Sequence, residues 1–186
     1  SLDDPESDDP KTHIDRLRAQ SRRMTTMLSS LLAYASLDRL ADCAQPVDTQ
    51  ELVTAIINSL HRPDRVVIEI AGPWPKVTTR EAPLDIVLRN LVENAIQYAD
   101  AENGRIRVSC VAGARELLLS VDDNGVGVPD EHRDTVFNPF TRLEGDDHLA
   151  TNADAHTGMG LALVRRAVQG VSGSVWSQQS GDPHGP

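Results

Sequence analysis

Asn90 and Asn94 stand four residues apart in an otherwise apolar run of Leu88, Leu91, Val92, Ala95 and Ile96. On a helix that spacing puts both carboxamides on one face, where buried amides need hydrogen-bond partners or a ligand. Taken alone, the pair reads more simply as caps on neighbouring loops. A second group follows an apolar strand pattern: Asp122-Asp123-Asn124-Gly125-Val126-Gly127-Val128-Pro129. Its glycines let backbone approach a flat ligand, and an acid at a strand end can accept from an exocyclic amine. The bland alternative is a plain Asp-Asn-Gly turn. The third group is Thr157-Gly158-Met159-Gly160-Leu161-Ala162-Leu163, glycines opening a helix whose free N–H groups and positive end suit phosphate oxygens. It is no dinucleotide fingerprint, because Leu163 stands where a third glycine belongs.

Elements that could hold these groups are legible around them. Ile14, Leu17, Ser21, Met24, Leu28, Leu31, Ala35 and Asp38 step by threes and fours, predicting a bundle-type helix over 12–41 with Thr12 as a cap. Its single apolar stripe wants partners. Asp48 three residues before Glu51 predicts a helix start, with Leu52, Ala55, Ile56 and Leu60 on one face. Residues 66–70 predict a strand ended by Gly72-Pro73, and 84–98 predict a buried helix. Asn103-Gly104 is a hairpin-type signal, and 105–111 with 117–122 predict an antiparallel pair. A polar stretch over 138–157 reads as a functional lid or a disordered segment, followed by a helix over 158–169 and a short strand over 174–177.

Composition narrows the function classes. With 18 basic against 28 acidic residues, net −10, nucleic acid is not an expected partner. No Gly-Lys pair exists, so a P-loop is excluded and any nucleotide phosphate is held otherwise. Two Trp, two Tyr and two Phe leave the core to Leu, Val, Ile and Ala. Cys43 and Cys110 lack a CxxC or His pattern, and two lone thiols are the blander reading against a disulfide. No apolar run is long enough to span a bilayer, so any membrane link is expected through segments outside these residues. A first residue Ser1 with no leader after it reads as a piece of a longer chain.

Taken in order, the groups resemble the catalytic domain of sensor histidine kinases, within the Bergerat-fold ATPases. The matches are an N box (NLVENA, 90–95), a G1 box (DNGVG, 123–127), an F box (FNPF, 137–140) and a G2 box (GMGLAL, 158–163). LLAYASLD (31–38) resembles the second helix of the family's dimerisation and phosphotransfer hairpin. The resemblance covers roughly 12–177. It implies an α+β fold, a two-layer α/β sandwich with a largely antiparallel mixed sheet, preceded by a long helix. The implied domains are 1–42, a loop plus hairpin helix, and 46–186, the catalytic domain.

By the same resemblance, Asp123 accepts from the adenine amino group of ATP, while Gly125 and Gly127 let the chain pass the ring and free the lid. Asn94 supplies an oxygen to Mg²⁺ with Asn90 alongside, and Tyr98 lines the ribose. Gly158, Gly160 and the N–H of Leu161 face the phosphates, and Arg142 is the lid cation assigned to charge in transfer. The implied partners are a response regulator and a second copy through the hairpin. The implied location is the cytoplasmic side of an inner-membrane sensor.

The sequence also departs from the family. Gln97 stands where a basic residue is usual, Ala162 replaces a frequent Gly, and Val171-Ser172-Gly173 replaces His-Gly-Gly. The phosphoacceptor box is absent: His13, His61, His132, His148, His156 and His184 all lie outside such a context. The acceptor helix and a final strand are accordingly expected outside this chain. Two other functions compete with the kinase. A chaperone- or gyrase-type ATPase would need Glu at Asn90 as general base, and an amide cannot accept that proton. A non-enzymatic nucleotide-binding and dimerisation module is favoured by Gln97 and the missing histidine.

Overall fold

The computed structural model describes residues 10–36, 43–114, 116–142 and 157–179. Helix α1 (Pro10–Ser36) leads into β1 (Gln45–Asp48), α2 (Thr49–Ser59), β2 (Val66–Ala71), β3 (Lys76–Thr79) and α3 (Glu81–Tyr98). Then follow β4 (Gly104–Ala112), β5 (Leu117–Asp123), a 3₁₀ turn (Asp130–His132) and α4 (Gly160–Gln169). Strands β2, β4 and β5 form one sheet in that order, β2 parallel to β4 and β4 antiparallel to β5. β1 and β3 form a separate antiparallel pair.

Alternation along the strands sends Val66, Ile106, Val108 and Cys110 to one face. There they meet Val53, Ile56 and Ile57 of α2 and Leu88, Val92 and Ala95 of α3. A second, smaller cluster joins Val87 of α3 to Val164 and Ala167 of α4, with Leu119 of β5 beside them. Helices α2, α3 and α4 thus form one layer and the three-stranded sheet the other, and α3 serves both clusters. Each fully buried Leu, Ile or Val stabilises this layer by about 1.5–3 kcal/mol. The other face of the sheet stays open, with Val67 63% and Val111 62% exposed.

The antiparallel pair predicted over 105–111 and 117–122 is present, and the buried helix predicted over 84–98 begins three residues earlier, at Glu81. Asp48 caps α2 as its spacing predicts, accepting from the N–H groups of Gln50 and Glu51, each at 3.1 Å. Lys76 Nζ, 2.9 Å away, holds the Asp48 carboxyl below the usual carboxylate range, with those N–H donors adding to the effect. The first helix starts at Pro10, so Thr12 lies inside it; proline's fixed φ suits a first turn. Its expected end, over 37–41, lies outside the described residues.

Two expectations need correction, and one strand pair carries no signal in the sequence. Asn103-Gly104 is no hairpin: Asp100 Oδ1 accepts from Glu102 N at 3.0 Å and Asn103 N at 2.7 Å, and the turn carries the chain from α3 into β4. Residues 174–177 join no sheet, although Val175 packs against the second cluster. One-sided burial alternates as in a strand but does not by itself supply ladder partners. The pair β1 and β3 went unanticipated because each strand is four residues long, and Pro46 and Pro75 sit in or next to them.

Candidate functional site

Helix α3 carries the amide pair and continues the same face to Tyr98, so Asn90, Asn94 and Tyr98 follow at successive turns. Asn90 Nδ2 donates to Ile86 O at 2.7 Å, which fixes the carboxamide along the helix. Its other end faces the start of α4: a Cβ added at Gly160 would lie 3.1 Å from Asn90 Oδ1. Gly160 therefore lets the opening turn of α4 approach the amide. Met159, buried beneath it, stands at the cap position and offers no side-chain cap. The first intrahelical bond is Leu163 N to Met159 O at 2.9 Å, so the N–H groups of Gly160, Leu161 and Ala162 precede the ladder. With the helix dipole behind them they suit an anion. Asn94, half-buried, lies one turn further along α3.

The far end of α3 meets the G1 loop. A Cβ at Gly125 would collide with the Tyr98 carbonyl, so only glycine allows that approach. Gly125 N donates to Asp123 Oδ1 at 2.8 Å. Burial pushes the Asp123 carboxyl above its usual range and neighbouring Asp122 adds to this, while the Gly125 N–H opposes it. Gly127 takes φ 71 in open space, a left-handed conformation that glycine adopts without strain.

The F box closes the other side. Phe140, at φ 63, donates its N–H to Gly158 O at 3.0 Å, and Gly158 takes φ 68. A side chain on Gly158 would meet the Phe140 backbone and Thr141 O, each at 3.0 Å. The two ends of the polar stretch over 138–157 are thereby fastened together, while residues 143–156 lie outside the described residues. Half-buried Arg142 directly follows this fastening.

The fold thus brings the boxes together pairwise: Asn90 with Gly160, Tyr98 with Gly125, and Phe140 with Gly158. Two residues of this framework went unread in the sequence. Arg165 of α4 donates to Asn138 Oδ1 at 2.9 Å and lies 5.7 Å from the centroid of the buried Phe137 ring, tying the F box to the helix. Asn124, inside the G1 loop, bonds to Arg105 and Asn103. Neither is signalled by spacing, since each partner is remote in sequence.

No group of three His, Cys, Asp or Glu side chains among the described residues is arranged to hold a metal. An amide donor set fits Mg²⁺ nonetheless, because that ion keeps most of its waters and takes few protein ligands. Asn94 lies next to Asn90, which faces the Gly160 opening where a side chain would otherwise intrude.

The family of histidine kinase-, DNA gyrase B-, and HSP90-like ATPases matches residues 79–185. The chain belongs to that family. The phytochrome-like protein Cph1 of Synechocystis sp. is 28% identical over 175 residues, 93% of this chain and 23% of the relative. The sensor histidine kinase AruS of Pseudomonas aeruginosa is 32% identical over 174 residues, 86% of this chain and 17% of the relative. The chain spans about a fifth of the length of these curated relatives. Full-length ShkA, solved in complex with AMPPNP, superposes with a TM-score of 0.68 at 23% identity over 93% of this chain and 36% of that one. The fold is accordingly the two-layer Bergerat sandwich of histidine kinase ATP-binding domains.

Proposed function

We propose that this chain is the ATP-binding and phosphoryl-transferring part of a two-component sensor histidine kinase. The observation that carries the reading is the Asn90 carboxamide set against Gly160 at the uncapped start of α4. This is a place for phosphate oxygens with no carboxylate at the residue where a hydrolase needs a base for water. Asp123 accepts from the adenine amino group, and Tyr98 lines the ribose. The N–H groups of Gly160 and Leu161 face the phosphates, with Gly158 giving the backbone room and Gly127 freeing the lid. Asn94 holds Mg²⁺, which when bound supplies charge neutralisation across the phosphate oxygens. Arg142 adds positive charge from the lid.

In transfer, a histidine nitrogen from outside these 186 residues attacks the γ-phosphorus. The N–P bond forms, the P–O bond to the β-phosphate breaks, and ADP leaves with the electron pair. The protein's part is positioning and electrostatics rather than covalent chemistry. The exposed stripe of α1, with Leu17 68%, Met24 61% and Leu28 59% exposed, suits helices of a dimeric hairpin over 1–42. The catalytic domain then covers 46–186, and a response regulator receives the phosphoryl group. Among the described residues no helix is long and apolar enough to cross a membrane. We place the domain on the cytoplasmic side of an inner-membrane sensor.

The test is sustained phosphate release. The chain with Mg-ATP should bind nucleotide and release inorganic phosphate no faster than buffer. Multiple turnovers of hydrolysis would make it an ATPase instead.

A further inference from the structure

Asn124 ends the β4–β5 ladder in an unusual way. Ile106 faces Asp123 in the register, so Arg105 faces residue 124 next. Asn124 N donates to Arg105 O at 3.1 Å, as a ladder requires. The reciprocal bond, however, runs from Arg105 N to the side-chain Oδ1 of Asn124 at 2.7 Å. The side chain replaces the main-chain carbonyl, so the backbone can leave the sheet at this residue without leaving Arg105 N unpaired. The amide's other end, Nδ2, donates to Asn103 O at 2.8 Å.

Asn103 is itself anchored. Its N–H is held by Asp100 Oδ1 at 2.7 Å, and the Arg65 side chain donates to Asp100 O at 2.6 Å. Asn124 therefore ties the G1 loop to a braced turn at the end of α3. Immediately on either side stand Asp123 and Gly125, joined by their own 2.8 Å bond. The half-buried Asp123 carboxylate is thus tied through Gly125 N to a loop that Asn124 pins to Arg105 N and Asn103 O.

We propose that Asn124 is the residue that sets base specificity, by holding the Asp123 carboxylate where an exocyclic amine is accepted and a ring carbonyl is refused. The inference rests on the reading that Asp123 meets the adenine amino group. A purine with oxygen at that position would set acceptor against acceptor, a rejection that operates only while the carboxylate is held in place.

The test is titration calorimetry of the 186-residue chain with Mg-ATP and Mg-GTP, for wild type, Asn124→Ala, Asn124→Asp and Asp123→Asn. Asn124→Ala should weaken ATP roughly 5- to 20-fold while GTP changes little, moving the ATP-to-GTP ratio toward that of Asp123→Asn. Asn124→Asp keeps the acceptor toward Arg105 and loses the donor to Asn103, so its ratio should fall between wild type and Ala. It also carries the test if thermal melting finds the Ala variant unfolded. Equal weakening of both nucleotides, or none, in the Asn124 variants while Asp123→Asn lowers the ratio would overturn the inference and leave Asn124 a turn residue. An unchanged ratio in Asp123→Asn would remove the adenine reading itself, and the inference with it.

Discussion

The carbonyl of Tyr98 fills the space that any side chain at Gly125 would need. The last turn of α3 and the G1 loop are therefore interlocked through backbone, and the distance between the amide-bearing helix and Asp123 is set by a missing methyl group.

Gly125→Ala should consequently separate the two elements. Overpacking of this kind costs about 1–3 kcal/mol, and here it falls between the proposed base and ribose contacts. We expect a lower melting temperature together with a loss of Mg-ATP binding larger than tenfold, that is, more than about 1.4 kcal/mol. Wild-type affinity in calorimetry would mean that the loop and α3 do not jointly hold the nucleotide.

Asp123→Asn should trade function against stability. Burial raises the folded-state pKa of Asp123 above its ordinary 3.8, so the folded chain binds more protons than the unfolded one between those two values. Stability from this group is therefore fully present below the unfolded value, falls as pH rises through the window, and is lowest above the folded value. The Asn variant lacks that penalty, so it should melt higher than wild type at pH 7, with the gap closing as pH falls toward 3.8. Its ATP affinity should drop roughly 5- to 150-fold, the cost of an unmatched donor. Melting scans across pH and calorimetry at pH 7 check the two halves separately.

Much of this arrangement was legible beforehand because it depends on local pattern. The apolar spacing through Leu88, Val92 and Ala95 requires a buried helix, and that helix aligns Asn90, Asn94 and Tyr98 whatever lies around it. Asp48 declared the start of α2 because a cap and its N–H partners lie within three residues. What stayed hidden depends on partners remote in sequence. Asn124 acts on Asn103 and Arg105, and Arg165 acts on Phe137 and Asn138, pairs that no periodicity links. Asn103-Gly104 misled for a related reason. The dipeptide permits a tight turn, but the carboxylate of Asp100 decided which turn formed.

Asn94→Ala isolates the metal reading. Removing the amide should abolish the difference in ATP affinity between Mg²⁺ and chelator, while leaving binding in chelator near the wild-type level. A variant that retains full Mg²⁺ dependence would make Asn94 a structural amide.

The end of α4 offers a stability prediction independent of nucleotide. Ser172 N bonds Gln169 O at 3.0 Å and Gly173 N bonds Val168 O at 2.9 Å, a Schellman closure in which Ser172 occupies the left-handed position at φ 59. Glycine takes that conformation without the Cβ penalty. Ser172→Gly should stabilise the chain by about 1 kcal/mol, raising the melting temperature by roughly 2–4 °C at this length. A lower melting temperature would mean that the serine side chain contributes more than its strain costs.

The most direct test of the account is transfer from γ-labelled ATP, run with the chain alone and then with a separately supplied hairpin bearing an acceptor histidine. On the proposed reading none of the six histidines in this sequence is the phosphoacceptor. The stripe of α1 from Ile14 through Leu17, Met24 and Leu28 is exposed, and covering each such side chain recovers about 1.5–3 kcal/mol for docking. The account predicts no label on the chain alone and acid-labile label on the added hairpin, abolished by Asn94→Ala. Acid-labile label on the chain by itself, or an unlabelled hairpin that demonstrably docks in the presence of bound Mg-ATP, would contradict it.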